Sequence, residues 1–405
     1  MTHLTQRITR IPGSPTIALT TKTNLLKSQG IDIIGLGAGE PDFDTPDFVK
    51  QAAIKAINNG QTKYTAVEGT LELRKAIQHK FKNENNLDYN PNQILVSVGA
   101  KHSIYNLIQV LLQKGDEALI PVPYWVSYPA MVELADATPV VINTTKQDNF
   151  KVTADTLSKH ITDKTKLLIL NSPSNPSGKV YTKQELVDLA EVLLKYPNVH
   201  VLSDDIYEHI VWPEFKFYNI LTACQDVLSA EDYNKLYNRT IVVNGVSKSY
   251  SMTGWRIGYA AGSKELIDAM QKLQSQCTSN PCSIAQAAAC EALTNPKTSE
   301  FINMMSGEFK KRHDYVYQAI NNIKLLSVLP AEGSFYSFVD CSEAIKHIGC
   351  KDDYEFSELL LEKANVALVA GSSFGSPNYL RLSYATSMKN LEGAISRIEK
   401  FLNNS

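Results

Sequence analysis

The chain has 405 residues, 43% hydrophobic and 20% charged, with a formal net charge of -2 at pH 7. These proportions are those of ordinary globular proteins, and the small net charge gives no electrostatic reason to expect binding to nucleic acid or to an anionic membrane. No apolar run approaches the roughly 18 residues that a membrane span requires, and the first residues lack the apolar core of a signal peptide.

The N-terminal part of the chain predicts an arm, a helix and a glycine-rich loop. The helix covers residues 16–29 and ends at Gly30, and a short strand over 31–34 follows. The next residues, GLGAGEP, have the spacing GxGxG, and the prolines and aspartates behind them do not let a helix begin at once. This excludes a nicotinamide dinucleotide site. The glycines either let a small ligand approach the backbone closely or form an ordinary turn.

Two helices are predicted next, over residues 46–59 and 70–85, with Thr45 as the N-cap of the first and Pro46 as its first residue. From residue 93 onward, short apolar strands alternate with helices. The predicted strands cover 94–98, 118–120, 140–143, 167–170, 199–202, 241–243 and 257–261, and the helices between them include 102–113 and 182–196. This alternation predicts an α/β fold with a mainly parallel seven-stranded sheet covered by helices.

A long amphipathic helix over residues 298–323 ends the alternation and predicts a connection to a second domain. That domain contains a helix over 353–363 and a strand-like segment over 378–383. The six cysteines form no CxxC pair, and the eight histidines show no metal-ligand spacing. We therefore expect no disulfide framework, no metal and a cytoplasmic location.

Polar landmarks follow several of the apolar strands, at the edge where parallel sheets bind ligands. Gly99, Ala100 and Lys101 precede a helix whose free N–H groups and dipole suit a phosphate, although a plain strand–helix turn has the same pattern. Trp125 either stacks on a flat ring or packs in the core. Asp204 ends an apolar strand, and a buried carboxylate there either has a cationic partner or has a raised pKa.

The function predicted for this edge of the sheet depends on the role of Lys248. This lysine follows a β-branched strand and a short polar segment, and Arg256 stands eight residues later. It is either a solvated loop lysine or a Schiff-base lysine with Arg256 as an anion ligand. An imine-forming lysine, a carboxylate for a ring nitrogen, a stacking aromatic residue and a phosphate cradle together fit one cofactor, pyridoxal 5′-phosphate.

Eight segments, spread in order over nearly the whole chain, resemble those of the fold type I pyridoxal-phosphate-dependent aminotransferases of class I and II. The resemblance is closest to bacterial aspartate aminotransferases of the subgroup that includes prephenate-using enzymes. The segments are GAGEPDFDTP (37–46), TKYTAVEG (62–69), VGAKHSIYN (98–106), PYWVSYP (123–129), NSPSNPSG (171–178), SDDIYEH (203–209), SKSYSMTGWRIGY (247–259) and LRLSYATS (380–387).

The resemblance implies a large cofactor-binding domain over residues 46–297 and a smaller α+β domain built from both chain ends, 1–45 and 298–405. It implies that Lys248 forms the imine and moves the substrate proton, and that Asp204 pairs with the ring nitrogen. Tyr207 and Asn175 match residues that bind the phenolic oxygen, and Trp125 matches the stacking aromatic. The residues matched to the phosphate and its surroundings are Gly99, Ala100, Lys101, Ser247 and Arg256.

The substrate and subunit contacts also follow from the resemblance. Arg381 matches the arginine that clamps the substrate α-carboxylate, a task suited to a guanidinium, and Gly39, Trp125 and Asn175 match other residues around the substrate. Lys101 matches the lysine that binds the distal carboxylate in the bacterial subgroup; alternatively, it is a solvated lysine at a helix start. Tyr64 matches a tyrosine that reaches the phosphate of the neighbouring subunit, which implies a homodimer.

Two positions depart from the family pattern. Gly245 stands where many relatives have serine, and Ser247 is a candidate replacement as phosphate ligand. No arginine matches the one that the best-studied aspartate enzymes take from the partner subunit for the distal carboxylate. The bond between Asn175 and Pro176 is a candidate cis peptide.

The implied reaction is transamination between L-aspartate and 2-oxoglutarate, which gives oxaloacetate and L-glutamate. An aminotransferase with a prephenate, aromatic or alanine-type donor is the alternative within enzymes. A catalytically idle sensor domain of the same fold is the alternative outside them. The expected partners are amino-acid and 2-oxo-acid substrates and a second copy of the chain, with no nucleic acid, membrane or metal.

Overall fold

The computed structural model describes residues 3–404. Its strands in chain order are β1 (Ile34–Gly35), β2 (Ile94–Ser97), β3 (Glu117–Pro121), β4 (Thr138–Ile142), β5 (Thr165–Asn171), β6 (His200–Asp204), β7 (Thr240–Gly245), β8 (Gly258–Ala261), β9 (Ser327–Val328), β10 (Tyr336–Asp340), β11 (Val366–Ala367), β12 (Val369–Ala370) and β13 (Tyr379–Ser383).

The helices of the same residues are α1 (Gln6–Arg10), α2 (Pro15–Ser28), α3 (Asp47–Asn58), α4 (Leu71–Asn85), α5 (Ala100–Leu111), α6 (Ser127–Leu134), α7 (Ala154–His160), α8 (Lys183–Leu194), α9 (Ile220–Cys224), α10 (Ala230–Asn238), α11 (Lys264–Cys277), α12 (Ser283–Thr294), α13 (Thr298–Asn321), α14 (Ser342–Ile348), α15 (Asp353–Lys363) and α16 (Met388–Asn403). Short 3-10 helices cover Pro91–Gln93, Thr253–Trp255 and Gly371–Phe374.

A seven-stranded sheet in the order β2-β8-β7-β6-β5-β3-β4 forms the centre of the molecule. β8 runs antiparallel to β2 and β7, whereas the other neighbouring strands are parallel. β7 and β8 are antiparallel because the segment between them contains only a short 3-10 helix, and a parallel pair needs a longer crossover. The prediction of a mainly parallel α/β sheet is confirmed.

Both faces of the central sheet are buried under helices. On β5, Leu168 and Leu170 face one apolar cluster, and Leu167 and Ile169 face the other. Successive side chains of a strand point to opposite faces, so a strand covered on both sides reads as an unbroken apolar run. Burying each of these side chains stabilises the fold by about 1.5–3 kcal/mol.

A second sheet in the order β12-β13-β10-β9 is antiparallel and packs against α13 and α16 in a separate apolar cluster. β1, near the N-terminus, pairs in parallel with β11 near the C-terminus. Ile34 lies opposite Val366 in this pair, so the first strand joins the C-terminal part of the chain. Tyr207, which follows β6 of the central sheet, belongs to the same cluster as α13 and β10.

Three local predictions differ from the structure. The N-cap of α3 is Pro46, because the Thr45 hydroxyl donates instead to the Ser251 carbonyl at 2.6 Å. The strand predicted over 31–34 is shorter, since its partner β11 has only two residues. The helix predicted over 102–113 begins two residues earlier, at Ala100, with Gly99 as its N-cap. This last shift places the start of α5 at the glycine turn.

Within residues 3–404 no helix combines the length and the apolar character needed to cross a membrane. All six cysteines fall inside this range, and each of them is a free thiol.

Candidate active site

The carboxyl ends of β2, β3, β5, β6 and β7 open on one cavity of about 240 Å³, which the loop after β1, the start of β10 and the middle of β13 complete. Side chains from both sheets therefore meet there, as expected at this edge of a mainly parallel sheet. The lining residues are Thr16, Gly39, Ala100, Lys101, Ile104, Trp125, Tyr128, Asn171, Asn175, Asp204, Ile206, Tyr207, Ser247, Lys248, Arg256, Tyr336 and Arg381.

The start of α5 supplies one side of the cavity. The first hydrogen bonds of this helix run from the His102 and Ser103 N–H groups to the Gly99 carbonyl. Among the described residues, the N–H groups of Ala100 and Lys101 are thus left without an acceptor. Free N–H groups and the positive end of the helix dipole form an anion site, so this end of the cavity suits a phosphate.

The same site has no room for side chains at two glycines. Gly99 has φ +83°, and a Cβ atom there would lie 2.3 Å from Arg256 Nη2. A Cβ atom at Gly258 would lie 2.0 Å from the Ala100 nitrogen. Arg256 itself donates from Nη1 to the Thr253 carbonyl at 2.9 Å. The glycines therefore let a guanidinium and the helix start approach each other, which concentrates positive charge beside the free N–H groups.

Lys248 lies beyond the end of β7, half-buried, and its Nζ donates to the Gly39 carbonyl at 2.5 Å. Burial lowers the pKa of Lys248 to about 8, because the desolvated ammonium is less stable than the neutral amine. Glu40 acts in the opposite direction, while the guanidinium groups of Arg256 and Arg381 lower the pKa further. A substantial fraction of this amine is therefore neutral near pH 8 and available as a nucleophile or base.

Asp204, at the end of β6, is buried, and burial raises the pKa of its carboxyl to about 6. Its Oδ2 accepts a hydrogen bond of 2.6 Å from the Tyr128 hydroxyl. Its Oδ1 accepts only a long bond of 3.4 Å from the Ile206 N–H. The direct partner of Asp204 is thus a phenol, and Lys248 acts on the carboxylate only through space. Of the two alternatives that the sequence left open, the structure shows the raised pKa. The carboxylate keeps capacity to accept a further donor from a ligand.

Trp125 forms a wall of the cavity. Tyr128 meets its ring edge-on, with centroids 5.3 Å apart, and the Lys101 ammonium lies 4.8 Å from the ring centroid on a cation–π contact. Partial burial, together with the charge of Arg256, lowers the pKa of Lys101. Lys101 is an exposed residue that also lines the cavity.

Arg381 is only 2% exposed and lines the same cavity as Lys248. Its Nη1 donates to Asn175 Oδ1 at 3.0 Å, and its Nη2 donates to the Gly37 carbonyl at 2.8 Å. Its Nε has no acceptor among the described residues. The guanidinium lies 4.5 Å from the Tyr336 ring centroid. A buried guanidinium with an unused donor is costly unless an anionic ligand completes it.

Tyr336 also connects Arg381 to the central sheet. Its hydroxyl lies 3.1 Å from the Tyr207 hydroxyl, and a Cβ atom at Gly39 would lie 3.3 Å from the same oxygen. Burial, together with the neighbouring Tyr336, raises the pKa of Tyr207, so this phenol stays neutral and can donate to a ligand oxygen.

The first departure noted in the sequence, Gly245, has a structural counterpart. Gly245 is the last residue of β7 and pairs with Gly258, and a Cβ atom there would lie 2.9 Å from the Gly258 Cα. This position therefore has no space for a serine without a shift of β8. Ser247 lines the cavity, and the bond between Asn175 and Pro176 is cis.

The structure brings most of the predicted residues to one place. Gly99 borders the cavity as the N-cap of α5, and the remaining predicted residues line it, with one exception. That exception is Tyr64, which is 92% exposed and lies outside the cavity of its own chain. The residues that sequence reasoning missed are Thr16, Ile104, Tyr128, Asn171, Ile206 and Tyr336.

One of the missed residues had a local signal. Tyr128 follows Trp125 by three residues in PYWVSYP. A spacing of three places side chains on the same side of a helical turn, so the pair in PYWVSYP could have been recognised. Nothing local marks Thr16, which reaches the cavity from α2 through the tertiary fold.

Comparison with known proteins identifies relatives along the full length of the chain. The profile of the family "Aminotransferase class I and II" matches residues 31–398. A Rickettsia felis protein named "Probable aspartate/prephenate aminotransferase" is 51% identical over 405 residues, which cover 99% of this chain and 96% of the relative.

Two solved structures share the fold. The crystal structure of the aspartate aminotransferase from Rhizobium meliloti has a TM-score of 0.92 and 43% identity, and covers 100% of this chain and 99% of its own. The aspartate aminotransferase from Thermus thermophilus with maleate has a TM-score of 0.92 and 39% identity, with coverage of 99% and 100%.

Proposed function

The chain belongs to the aminotransferase class I and II family, and we propose that it catalyses pyridoxal-phosphate-dependent transamination between L-aspartate and 2-oxoglutarate, which gives oxaloacetate and L-glutamate. One observation carries the proposal: a lysine of lowered pKa, a buried carboxylate and a buried arginine with a free donor face the same cavity. These are Lys248, Asp204 and Arg381. The aspartate named in the relatives from Rickettsia felis and Rhizobium meliloti supports the choice of donor.

The residues present fit the cofactor. The free N–H groups of Ala100 and Lys101 and the Arg256 guanidinium would hold the phosphate, in a cradle that a side chain at Gly99 would block. Ser247 lines the same part of the cavity and would add a hydroxyl.

The other cofactor contacts come from the walls of the cavity. Trp125 would stack on the ring, Asp204 would face its nitrogen, and Tyr207 with Asn175 would bind its phenolic oxygen. Lys248 would hold the cofactor covalently through its amine. When bound, pyridoxal phosphate supplies a ring that accepts electrons from the substrate Cα.

The protein's own groups would then bind the substrate and move one proton. Arg381 would bind the α-carboxylate, with Nε as the donor that lacks a partner in the protein. Gly39 leaves space beside Tyr336 for this carboxylate. Lys248, as a neutral amine, would take the proton from Cα and return it. Asp204, ionised at neutral pH because its pKa is about 6, would stabilise positive charge on the ring nitrogen.

A direct test is the covalent link itself. The protein is incubated with pyridoxal phosphate, reduced with borohydride and digested, and the modified peptide is identified by mass spectrometry. We expect a single modified residue, Lys248. Modification spread over surface lysines, with Lys248 unmodified, would refute the proposal.

The lowered pKa of Lys248 predicts a specific pH profile for capture of the cofactor. Below pH 8 the amine is mostly protonated, so the rate of borohydride-trappable attachment to cofactor-free protein should rise about tenfold from pH 7 to pH 9 and then level off. Nα-acetyl-lysine, with an ordinary pKa, serves as the control and should keep accelerating to higher pH. A protein profile that follows this control would show that Lys248 is not perturbed.

The position of Lys101 predicts that its substitution affects turnover of dicarboxylic donors more than turnover of monocarboxylic donors. Because its ammonium faces the cavity beside Trp125, we propose that it binds the distal carboxylate of aspartate; maleate, named with the Thermus thermophilus relative, is also a dicarboxylate. We expect Lys101→Ser to lower kcat/KM for aspartate by about 10–100-fold, the loss of one charge-assisted contact, and to leave alanine turnover nearly unchanged. Steady-state kinetics with both donors measures this.

The matched control is Lys114→Ser, which removes an exposed lysine next to α5 but outside the cavity. This control should leave kcat/KM unchanged for both aspartate and alanine. An equal loss of aspartate and alanine turnover in Lys101→Ser would argue against the distal-carboxylate role. Kinetics with prephenate and phenylalanine on the same proteins would separate the alternative donors.

We further propose a homodimer in which Tyr64 completes the neighbouring site. Tyr64 is 92% exposed, and large apolar side chains near it in sequence, Ile54, Ile57 and Leu71, are 47%, 51% and 47% exposed. Several large, exposed apolar side chains in one segment support an interaction surface there. We expect sedimentation to give the mass of two chains, and Tyr64→Phe to lower phosphate-cofactor affinity about tenfold without dissociating the dimer. Tyr354→Phe, which alters an exposed tyrosine on α15, is the control.

The assignment of the chain to domains and to a compartment is also a proposal. We propose a large domain over residues 46–297 and a smaller one from 1–45 and 298–405, supported by the pairing of β1 with β11. We propose a cytoplasmic location, supported by the six free thiols.

A further inference from the structure

Tyr128 contacts two residues that would contact a bound ring, one at the ring nitrogen and one on the ring face. It lies in the first turn of α6, is 2% exposed, and its hydroxyl donates to Asp204 Oδ2 at 2.6 Å. Its ring also meets Trp125 edge-on at 5.3 Å. A single side chain therefore contacts the proposed partner of the ring nitrogen and the proposed stacking residue.

We propose that Tyr128 is a positioning residue that holds the Asp204 carboxylate ionised and turned toward the ring nitrogen of the cofactor. This inference rests on the proposed function. It concerns a residue to which the proposed reaction assigns no step, and its contacts are a hydrogen bond to Asp204 and a ring contact with Trp125.

The hydrogen bonds of Asp204 determine which oxygen is available. Oδ2 takes the short bond from Tyr128, whereas Oδ1 takes only the 3.4 Å bond from the Ile206 N–H. The Asn171 amide donates to the Asp204 backbone carbonyl, not to the carboxylate. Oδ1 is thus the oxygen left for a donor on the ring nitrogen. Because Tyr128 anchors Oδ2, the carboxylate cannot rotate without breaking its strongest bond.

The chemistry of the pair also favours one protonation state. Burial raises the pKa of the Tyr128 hydroxyl well above its ordinary value, so Tyr128 remains a neutral donor over the whole working range of pH. A donor to a carboxylate stabilises the anion, and here it opposes the effect of burial on Asp204. When one proton is shared between Asp204 and a ring nitrogen, the Tyr128 bond therefore favours its location on the nitrogen.

The test uses Tyr128→Phe, which removes the hydroxyl and keeps the ring beside Trp125. In cofactor-free protein, infrared difference spectra of the protonated carboxyl band, assigned with Asp204→Asn, report the titration of Asp204. We expect the midpoint to rise by at least about one pH unit in Tyr128→Phe, the loss of one charge-assisted hydrogen bond. Tyr124→Phe removes a half-buried hydroxyl from the same segment and should leave the midpoint unchanged.

The loaded protein gives a second readout. With ¹⁵N-labelled pyridoxal phosphate, ¹⁵N NMR should show a protonated ring nitrogen in the wild type and a shift toward the neutral nitrogen in Tyr128→Phe. The cofactor dissociation constant should rise about tenfold in Tyr128→Phe. In the Asp204→Asn background the same substitution should have little further effect, because the hydroxyl acts through the carboxylate.

Two results would overturn the inference. One is an unchanged Asp204 titration in Tyr128→Phe. The other is an effect on cofactor affinity that is equally large in the Asp204→Asn background, which would indicate a purely structural role. The titration needs no cofactor, so it remains decisive even if the protein fails to bind pyridoxal phosphate. Failure of that binding would instead refute the proposed function.

Discussion

Replacing Lys248 with alanine is expected to lower kcat for transamination of aspartate by about 10⁴-fold or more. The substitution removes both the amine that would hold the cofactor and the base that would move the Cα proton, and a positioned base alone contributes about 10²–10⁴-fold. The lowered pKa of Lys248, about 8, is what makes its amine competent for this task near neutral pH. Stopped-time product analysis with excess enzyme measures the residual rate.

Chemical rescue distinguishes loss of this amine from damage to the fold. The alanine variant leaves space next to the Gly39 carbonyl, where Nζ lies in the wild type. A small primary amine such as methylamine should enter this space and restore part of the rate, in proportion to its neutral fraction. A residual rate within tenfold of the wild type would show that another group moves the proton.

Replacing Lys80 with methionine is expected to lower the free energy of unfolding by about 3–5 kcal/mol. Lys80, on α4, and Glu208, which follows Tyr207, form an ion pair whose side chains are 1% and 4% exposed. Burial alone would raise the pKa of Glu208, but the charge and hydrogen bond of Lys80, together with His209 and Asn85, lower it. Without Lys80, the Glu208 carboxylate is buried and uncompensated.

The network around this pair explains why the effect should be large. The amides of Asn85 and Asn244 donate to the Glu208 oxygens at 3.1 and 2.6 Å, and Lys80 Nζ donates to Asn85 Oδ1 at 2.7 Å. The carboxylate of Glu84 lies 3.6 Å from the same ammonium. Glu84, Glu208 and His209 lie as close together as metal ligands, but the Lys80 ammonium already forms ion pairs with both carboxylates of this group. The network connects α4 with the ends of β6 and β7.

Urea unfolding with two further variants tests this account. Lys82→Met, on the same helix, removes the exposed ion pair with Asp88, whose side chains are 51% and 75% exposed, and should cost less than about 1 kcal/mol. The double variant Lys80→Met/Glu208→Gln should regain much of the lost stability, because it leaves no unpaired charge. A loss below about 1 kcal/mol in Lys80→Met, or no recovery in the double variant, would contradict the expected role.

The pattern of strands illustrates how far local sequence predicts this fold. The run over 167–170 is apolar throughout and became β5, buried on both faces. The sequence predicts the start of α5 two residues late, because the segment over 98–103 contains no strong cap. The observed start lies next to the close contact between Gly99 and Arg256. The sequence predicts that Thr45 caps α3, but the Thr45 hydroxyl donates to the carbonyl of Ser251, 206 residues later in the chain.

In the candidate site, too, the sequence predicts residue types, whereas the tertiary structure determines which residues meet. Lys248, Asp204 and Arg381 could be proposed from their motifs, since an imine-forming lysine, a strand-end carboxylate and a carboxylate-binding arginine each require a particular residue type. Their distance in sequence gives no information about whether they meet. The structure places all three around one cavity, where burial changes their pKa values.

By itself, the sequence determined the strand–helix alternation, the residue types at the strand ends and, through ordered motifs, the family. These depend on local periodicity and on chemistry that only certain side chains perform. Only the tertiary structure decided that Tyr128, not a cation, is the partner of Asp204, that Tyr336 lies between Tyr207 and Arg381, and that Lys80 neutralises Glu208. Such pairings depend on which strand and helix ends become neighbours, and residue spacing along the chain does not encode that information.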